Sequence, residues 1–530
     1  MAEQEFYLDK ERKIMKRIIT WIEKSILVIG ILFFGWILML DLFMGNRINY
    51  YCKSRCLVSN SILIGIGVLL LCISVFLVKR YADKINRILG KGDRIIGILS
   101  VVLFLVELII SYEILFASGW DAGEVSWQAG LVAAGESKLD NSYFSNYPNN
   151  LLITFLYSLA YRLMGVFGLQ MYGAVIIVAV QCFLSALTGY LLYQVSKKMF
   201  HNNKISFVVW AIYGLWIGLM PWYTVTYSEP LGIIFPVAIL WLYQRMESNK
   251  AVWRKSILIG ILSFLGYQIK PSVLIIYIAI LIIAILRLIE NKEHNVRAKQ
   301  ICGLIVSFFV VFGIYQQIDI GKCMGFELDK EQELTITHFA MMGLSEKRNG
   351  VFDVDEVDYS LSFPNKKRRQ EENVKIIKQR LKDYGFWGIV NHLAKKTLTN
   401  YNDGTFSWGK EGEFFSEEIE KPEEILSKTL KGLYYNDGKH RTILNTYMQF
   451  FLIMILLGGF LNCIQIFNKN KIMDSYLITM LALVGIFLFV SIFEARARYL
   501  YVYAPLYILM GVQGYISILY KLKYRRQKKD

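Results

Sequence analysis

Residues 118–148 read SGWDAGEVSWQAGLVAAGESKLDNSYFSNYP. They form the first long polar interruption after a series of apolar runs, and they carry Asp121 and Glu124 between Trp120 and Trp127. The stretch closes on an aromatic, proline-ended segment, Tyr143 to Pro148. Holding a carboxylate against a bilayer is costly, so chains that keep one there generally use it. In a helix, a spacing of three places Asp121 and Glu124 on one face. Either acid can take a proton from a hydroxyl, or hold that hydroxyl as an acceptor. The competing reading is an interfacial loop acid without a role.

The composition surrounding this stretch is that of a membrane protein. Of the 530 residues, 55% are hydrophobic and 19% charged, against roughly 45–50% and 25% in soluble domains. The net charge of +16 would raise nucleic-acid binding in a soluble chain. Here Lys and Arg fall mainly in short loops between apolar runs, as the positive-inside rule requires, so no nucleic acid is expected. The seven cysteines show no zinc-type spacing. Cys52 and Cys56 are near enough in sequence to pair if their loop is extracytoplasmic. Met1 to Lys16 is charged and lacks a cleavable apolar core, which reads as a cytoplasmic tail.

Apolar stretches able to cross or nearly cross a bilayer lie near 25–44, 57–78, 95–117, 172–196, 204–219, 226–243, 255–269, 271–287, 300–318, 447–466, 474–492 and 499–520. The expectation is an all-α polytopic protein with about twelve transmembrane helices. Basic loops at 79–94, 197–204, 245–255, 288–299 and 468–471, with the basic C-terminal tail, then share the cytoplasmic side. The exception is 45–56, an outer loop holding Arg47, Lys53 and Arg55. Residues 149–165 are read as an interfacial, juxtamembrane helix with Tyr157, Tyr161 and Arg162 near the headgroups, because a crossing there would flip the later basic loops outward. Two long polar regions, 118–171 and 319–446, then face outside. The second is expected to be a mostly helical cap, with helical periodicity over 369–400 and loops at 350–364 and 402–412. The divisions are 1–94, a tail with two accessory spans; 95–318, the main transmembrane module; 319–446, the cap; and 447–530, the final spans and basic tail.

Three further constellations stand at the expected outer ends of spans. Met220 to Pro230 is an aromatic turn bounded by Pro221 and Pro230, carrying Tyr227 and Glu229. Its bland reading is a proline-capped hairpin in the interfacial aromatic belt. Lys270-Pro271 breaks an apolar run, and a lysine there needs a carboxylate, a phosphate or water unless it snorkels to the interface. Phe493 to Tyr499 holds Arg496 and Arg498, whose forked donors suit phosphate oxygens; the alternative is an ion pair with Glu494. His338 and His392 lie in the cap without metal spacing. Asp121 with Glu229 leaves a divalent cation open as a cofactor. No Walker motif or Ser/His/Asp grouping is present.

The order of these features resembles the GT-C superfamily of integral-membrane glycosyltransferases, nearest to family 39, the protein O-mannosyltransferase and aminoarabinose transferase group. The features are a first-loop acid, a tyrosine-proline segment opening a juxtamembrane helix, an aromatic turn with a second acid, a lysine at a broken helix, a large outer loop and a late Arg-Tyr. The likeness covers roughly 95–318 and continues more weakly to 520. It departs from the family in the Ala122-Gly123 spacer between the acids and in the two extra N-terminal spans.

The resemblance implies an enzyme of the cell membrane with its active site on the extracytoplasmic face. Asp121 would be the catalytic base and Glu229 the second acid, with Glu124 beside them. Lys270, Arg496 and Arg498 would hold the phosphate of a polyprenyl-phosphate-linked sugar. Tyr147, Trp120, Tyr227 and His338 would line the sugar and acceptor positions, and the acceptor would be a surface glycan, teichoic acid, lipid or protein. Transfer would proceed by inverting single displacement. The alternatives are a lipid-linked saccharide transporter or flippase, and an O-antigen-ligase-like transferase.

Overall fold

Where no proline or π-turn interrupts them, the apolar runs fold as long helices. The computed structural model describes residues 2–81, 92–136, 138–246, 249–290, 294–418, 424–469 and 472–527. Parts of the basic loops 79–94, 245–255, 288–299 and 468–471, and the last three residues of the tail, lie outside them.

Among the described residues, seven helices are long and apolar enough to cross a membrane: Ile14–Met44, Gly92–Glu113, Gln170–Phe200, Pro271–Ile289, His294–Gln317, Arg441–Phe467 and Asp474–Ile492. Asn60–Ser74 and Ala504–Leu519 are shorter apolar helices. The difference from the expected twelve has local causes. The run 204–219 divides into Asn203–Tyr213 and a π-turn, Gly214–Gly218. The run 226–243 divides into Ser228–Gly232 and Ile234–Gln244. The expected N-terminal tail is also helical backbone, continuous from Ala2 to Met39.

Contacts at the two ends of the bundle separate the loops into two groups. At one end Lys197 pairs with Asp93 at 2.7 Å. There too Arg287 meets Glu23 at 2.6 Å and Asp474 at 2.7 Å. These residues adjoin the loops rich in Lys and Arg. At the other end the segment 50–54 joins the loop 402–412: Asn402 donates to the Tyr50 hydroxyl at 2.9 Å and Ser54 to Asp403 at 3.0 Å. The same loop accepts the indole N–H of Trp222 at Thr405, and Gly119 donates to the Glu413 carbonyl at 2.7 Å. A short antiparallel pairing of Phe116–Ala117 with Glu417–Glu418, absent from the all-α expectation, fastens the first loop to the large one. The accessory N-terminal segment, the first loop, the aromatic turn and 402–418 therefore gather at one end.

The helix Leu151–Val166 has both ends there. It begins beside Asn150, whose amide reaches the Tyr143 hydroxyl at 2.7 Å. It finishes next to Gly173, the start of a helix whose far end holds Lys197. It does not run the length of the bundle, in keeping with a juxtamembrane helix. Its tyrosines differ from expectation. Tyr157 is buried and donates to Gln181 at 2.8 Å, and the Tyr161 hydroxyl bonds Ser126 at 3.0 Å. Both lock the helix to protein. Leu156, Leu159, Leu163 and Val166 form its exposed face.

Within 319–446 the helices are Ile320–Met324, Ile336–Gly343, Val354–Leu361, Lys366–Tyr401 and Ile425–Tyr434. The expected loop 350–364 thus contains a helix, started by Asp353 accepting from the Asp355 amide. The long helix matches the 369–400 periodicity but breaks at Gly385, φ 54°. The segment 402–412 is a loop as expected.

Candidate functional site

Proline placement puts the charged side chains where they are. Pro271 opens a turn and forces the preceding residue out of the helical region. Lys270 accordingly has extended backbone, φ −145° and ψ 107°, and ends the helix Asn249–Ile269. Pro230 stands early in the helix Ser228–Gly232, a favourable position for a residue without an N–H, and so fixes Glu229 in its first turn. Asp121 lies in the first turn of Trp120–Ala134, where the helix dipole favours an acid,. Trp120 itself has φ +42°, a strained conformation for a bulky residue,. The adjoining bond from Gly119 to Glu413 holds that turn in place.

Tyr227 is the centre of the cluster. Its hydroxyl donates to one oxygen of Asp121 at 3.2 Å, and Tyr143 donates to the other at 3.0 Å. Asn150 orients Tyr143. The Tyr227 ring packs edge-on against Trp120 at 4.9 Å. The Arg498 guanidinium stands 4.6 Å from the Trp120 ring and 5.3 Å from that of Tyr227. The Lys270 ammonium stands 5.8 Å from Tyr227 and 4.4 Å from Tyr499. Asp121, half-buried, therefore sits across one tyrosine from two buried cations.

Those cations are already balanced. Lys270 is ion-paired with Glu229, whose nearer oxygen is 3.5 Å from Arg498. Arg496 pairs with Glu411 at 2.9 Å and Glu494 at 2.8 Å. Arg498 has Glu411 at 3.4 Å. Glu494 also accepts from the Tyr499 hydroxyl at 2.6 Å. Burial would raise the Glu494 carboxyl, but Arg496 and Arg498 outweigh it and hold it below its ordinary value. Three cations face three carboxylates before Asp121 is counted. Arg498 is nonetheless incompletely satisfied: its Nε and Nη1 atoms are buried without a hydrogen bond. The Trp120 indole N–H is in the same condition.

Glu411 carries no sequence signal as an acid of this cluster. The loop that delivers it is tightly built. Asp403 accepts from the Thr405 amide, the Ser407 amide and Lys410. Burial opposes ionisation of Asp403, yet Lys410 and these donors bring its carboxyl down to about 2. Phe406 and Ser407 both have positive φ, 56° and 60°. Trp408 and Phe414, with ring centroids 4.7 Å apart, pack behind the loop.

This chain matches the profile of a family described as conserved hypothetical integral membrane proteins over residues 12–516. The chain belongs to that family. No curated protein matches it. As an integral membrane protein with several bilayer-length apolar helices, it is a multi-pass chain in contact with lipid.

In this family member the remaining expected site residues divide. Tyr147 stacks near Tyr143, centroids 5.3 Å apart, and its hydroxyl is driven up by burial and by the charges of Asp121 and Glu494. Glu124 accepts from Gln128 at 2.8 Å, and Gln128 in turn holds the Asp140 amide, so Glu124 organises its own loop. His338 is fully buried and bonded to Ser360 at 2.7 Å, with no surface to offer an acceptor. Burial lowers its imidazole to about 4, leaving it neutral at pH 7. Glu229 is enclosed by Lys270 and Arg498 and is unavailable to a metal alongside Asp121. Among the described residues no three His, Cys, Asp or Glu side chains converge to hold an ion. Cys52 and Cys56 are free thiols.

Proposed function

We propose that this integral membrane protein is a glycosyltransferase of the GT-C type. It moves a sugar from a polyprenyl-phosphate carrier to an extracytoplasmic hydroxyl acceptor on a glycan, teichoic acid, lipid or protein. The reading keeps the twelve-span topology, with the gathered loops facing outward across the cell membrane and 319–446 covering them as a cap.

The observation that carries it is the shared position of Tyr227, which bonds Asp121 and lies against Arg498 and Lys270. Such an arrangement supports a base and an anion-stabilising group acting at the two ends of one displacement. Asp121 takes the acceptor proton as the acceptor oxygen bonds the anomeric carbon. The bond from that carbon to the phosphate oxygen breaks with inversion, and its electron pair leaves on the polyprenyl phosphate. The leaving group is already anionic, so fixed cations stabilise it and no general acid is needed. A phosphate oxygen would compete with Glu411 and Glu229, 3.4 and 3.5 Å away, for the Nε and Nη1 donors of Arg498, neither of which makes a hydrogen bond,. Glu229 takes the role of positioning Lys270 in place of the second catalytic acid.

The test is product formation. Purified protein in detergent is given a synthetic polyprenyl-phosphate sugar and a panel of hydroxyl acceptors. Glycosylated product with stoichiometric free polyprenyl phosphate is expected. Movement of intact donor across proteoliposomes without its consumption would replace the reading with that of a flippase.

A further inference from the structure

A cleft of about 510 Å³ lies apart from the Asp121 cluster, between the segment 47–51, the turn 346–349 and the helix Lys366–Tyr401. Ligand-sized pockets fall in this range. It is also where the outer basic residue Arg47 goes, the exception to the charge pattern of the other loops. Arg47 and Lys395 line it from opposite walls, and among the described residues neither has a carboxylate partner at ion-pair distance. Lys347, the third cation, is engaged by Asp355 and Asp353. Glu346 is the single acid of the lining.

We propose that this cleft binds an acidic glycan, a polyol chain bearing carboxylate or phosphate groups. The two free cations meet the charge, where charge-assisted hydrogen bonds are the strong ones. Asn49, Asn349 and Asn391 add amide donors and acceptors suited to vicinal hydroxyls,. Tyr51 also lines it, partly exposed, with the Arg348 guanidinium 5.8 Å from its ring and adding positive charge beside the cleft. A lipid headgroup is the less suitable occupant, because Ile48 is the only aliphatic residue of the lining and acyl chains would have nothing to lie against.

The walls are held in fixed positions. The Tyr50 hydroxyl accepts from Asn402, and Lys410 donates to the Cys52 carbonyl at 2.6 Å. Asn349 and Cys52 adopt positive φ, 54° and 59°, at the ends of the two loop walls. The loop that anchors the cleft is the one that delivers Glu411 to Arg496, so an occupant would lie along the same end of the molecule as the cluster. The proposal gives the two N-terminal accessory helices a task, presenting 47–51.

The experiment uses the full chain in phosphatidylcholine nanodiscs, with binding read by fluorescence anisotropy. The probes are a labelled oligogalacturonate, an oligo(glycerol phosphate), and a neutral malto-oligosaccharide of matched length. At least one acidic probe is expected to bind roughly tenfold or more tightly than the neutral one. Arg47→Gln and Lys395→Gln should each lower that affinity roughly tenfold, with unchanged thermal unfolding. If either variant is unstable, Asn391→Glu supplies a second route by placing a repelling charge in the wall. Probe binding is measured without donor or transfer, so failure of the transfer reading leaves this result intact. Equal binding of acidic and neutral probes, no binding of any probe, indifference to all three wall substitutions, or displacement only by short-chain phosphatidylglycerol would overturn the proposal.

Discussion

Replacing Glu411 with Gln should destabilise the protein while improving its grip on an anion. Glu411 spans Arg496 at 2.9 Å and Arg498 at 3.4 Å, and the cluster holds three cations against three carboxylates. Removing one buried partner of an ion pair costs about 3–5 kcal/mol, because the other is left uncompensated. Arg496 keeps Glu494 and Arg498 keeps Glu229, so the lower end, about 3 kcal/mol, is expected,. The surplus positive charge then favours a phosphate. One additional charge-assisted contact, about 1.5–3 kcal/mol, corresponds to roughly tenfold to a hundredfold in affinity. At roughly a hundredfold excess over Kd, a ligand returns about 2.7 kcal/mol of stability. The assay is thermal unfolding in detergent with and without a short-chain polyprenyl monophosphate. Glu411→Gln should melt lower alone and recover most of the difference with ligand. A variant that melts like the parent, or one that loses ligand stabilisation, would refute the charge-balance reasoning.

Other outcomes follow from the same contacts. Lys270→Met should strand the buried Glu229 and lower stability sharply, whereas Glu229→Gln with Lys270→Met should recover much of it; simple additivity in that cycle would deny the pairing,. Lys396 is buried, donating to the carbonyls of Gly343 at 2.8 Å and Phe493 at 2.6 Å. Burial lowers its ammonium from 10.5 to about 7, against the opposing pull of Glu494. The unfolded chain therefore binds more protons between those values, and stability from this group rises with pH across the window, by up to about 1.4 kcal/mol per unit. Lys396→Met should flatten that rise in pH-dependent melting curves, and an unchanged slope would exclude the group. For topology, a cysteine at Ser142 should react with an impermeant reagent in intact cells and one at Lys198 should not; the reverse would invert the orientation.

The site was legible where a charge interrupted an apolar pattern. Asp121, Glu229, Lys270, Arg496 and Arg498 each stood at the end of an apolar run, where a charge demands a partner; the fold brings Asp121, Lys270 and Arg498 around Tyr227, with Glu229 and Arg496 joined to them through ion pairs. Which partner each would take was less visible, because pairings such as Lys270 with Glu229 depend on where chain breaks fall in space. Glu411 was hidden for a different reason. It lies in an already polar segment, where one more acid has no contrast, and only the anchoring by Asp403 and the Trp408 packing deliver it. His338 misled because an imidazole in a polar region reads as accessible, whereas here helix packing buries it against Ser360. The helix breaks were not legible: the π-turn Gly214–Gly218 and the division at Ile233 interrupt apolar runs in a way that hydropathy does not register.

The central claim is that Asp121 removes the acceptor proton. Asp121→Asn preserves size and can still accept from Tyr143 or Tyr227, but it lacks the base. The direct measurement is single-turnover transfer from a polyprenyl-phosphate sugar by purified protein, with donor affinity measured alongside. General-base catalysis contributes about 10²–10⁴-fold, so the rate should fall at least a hundredfold while donor affinity changes far less, and Glu124→Gln should lose less. Near-parental transfer by Asp121→Asn would contradict the account.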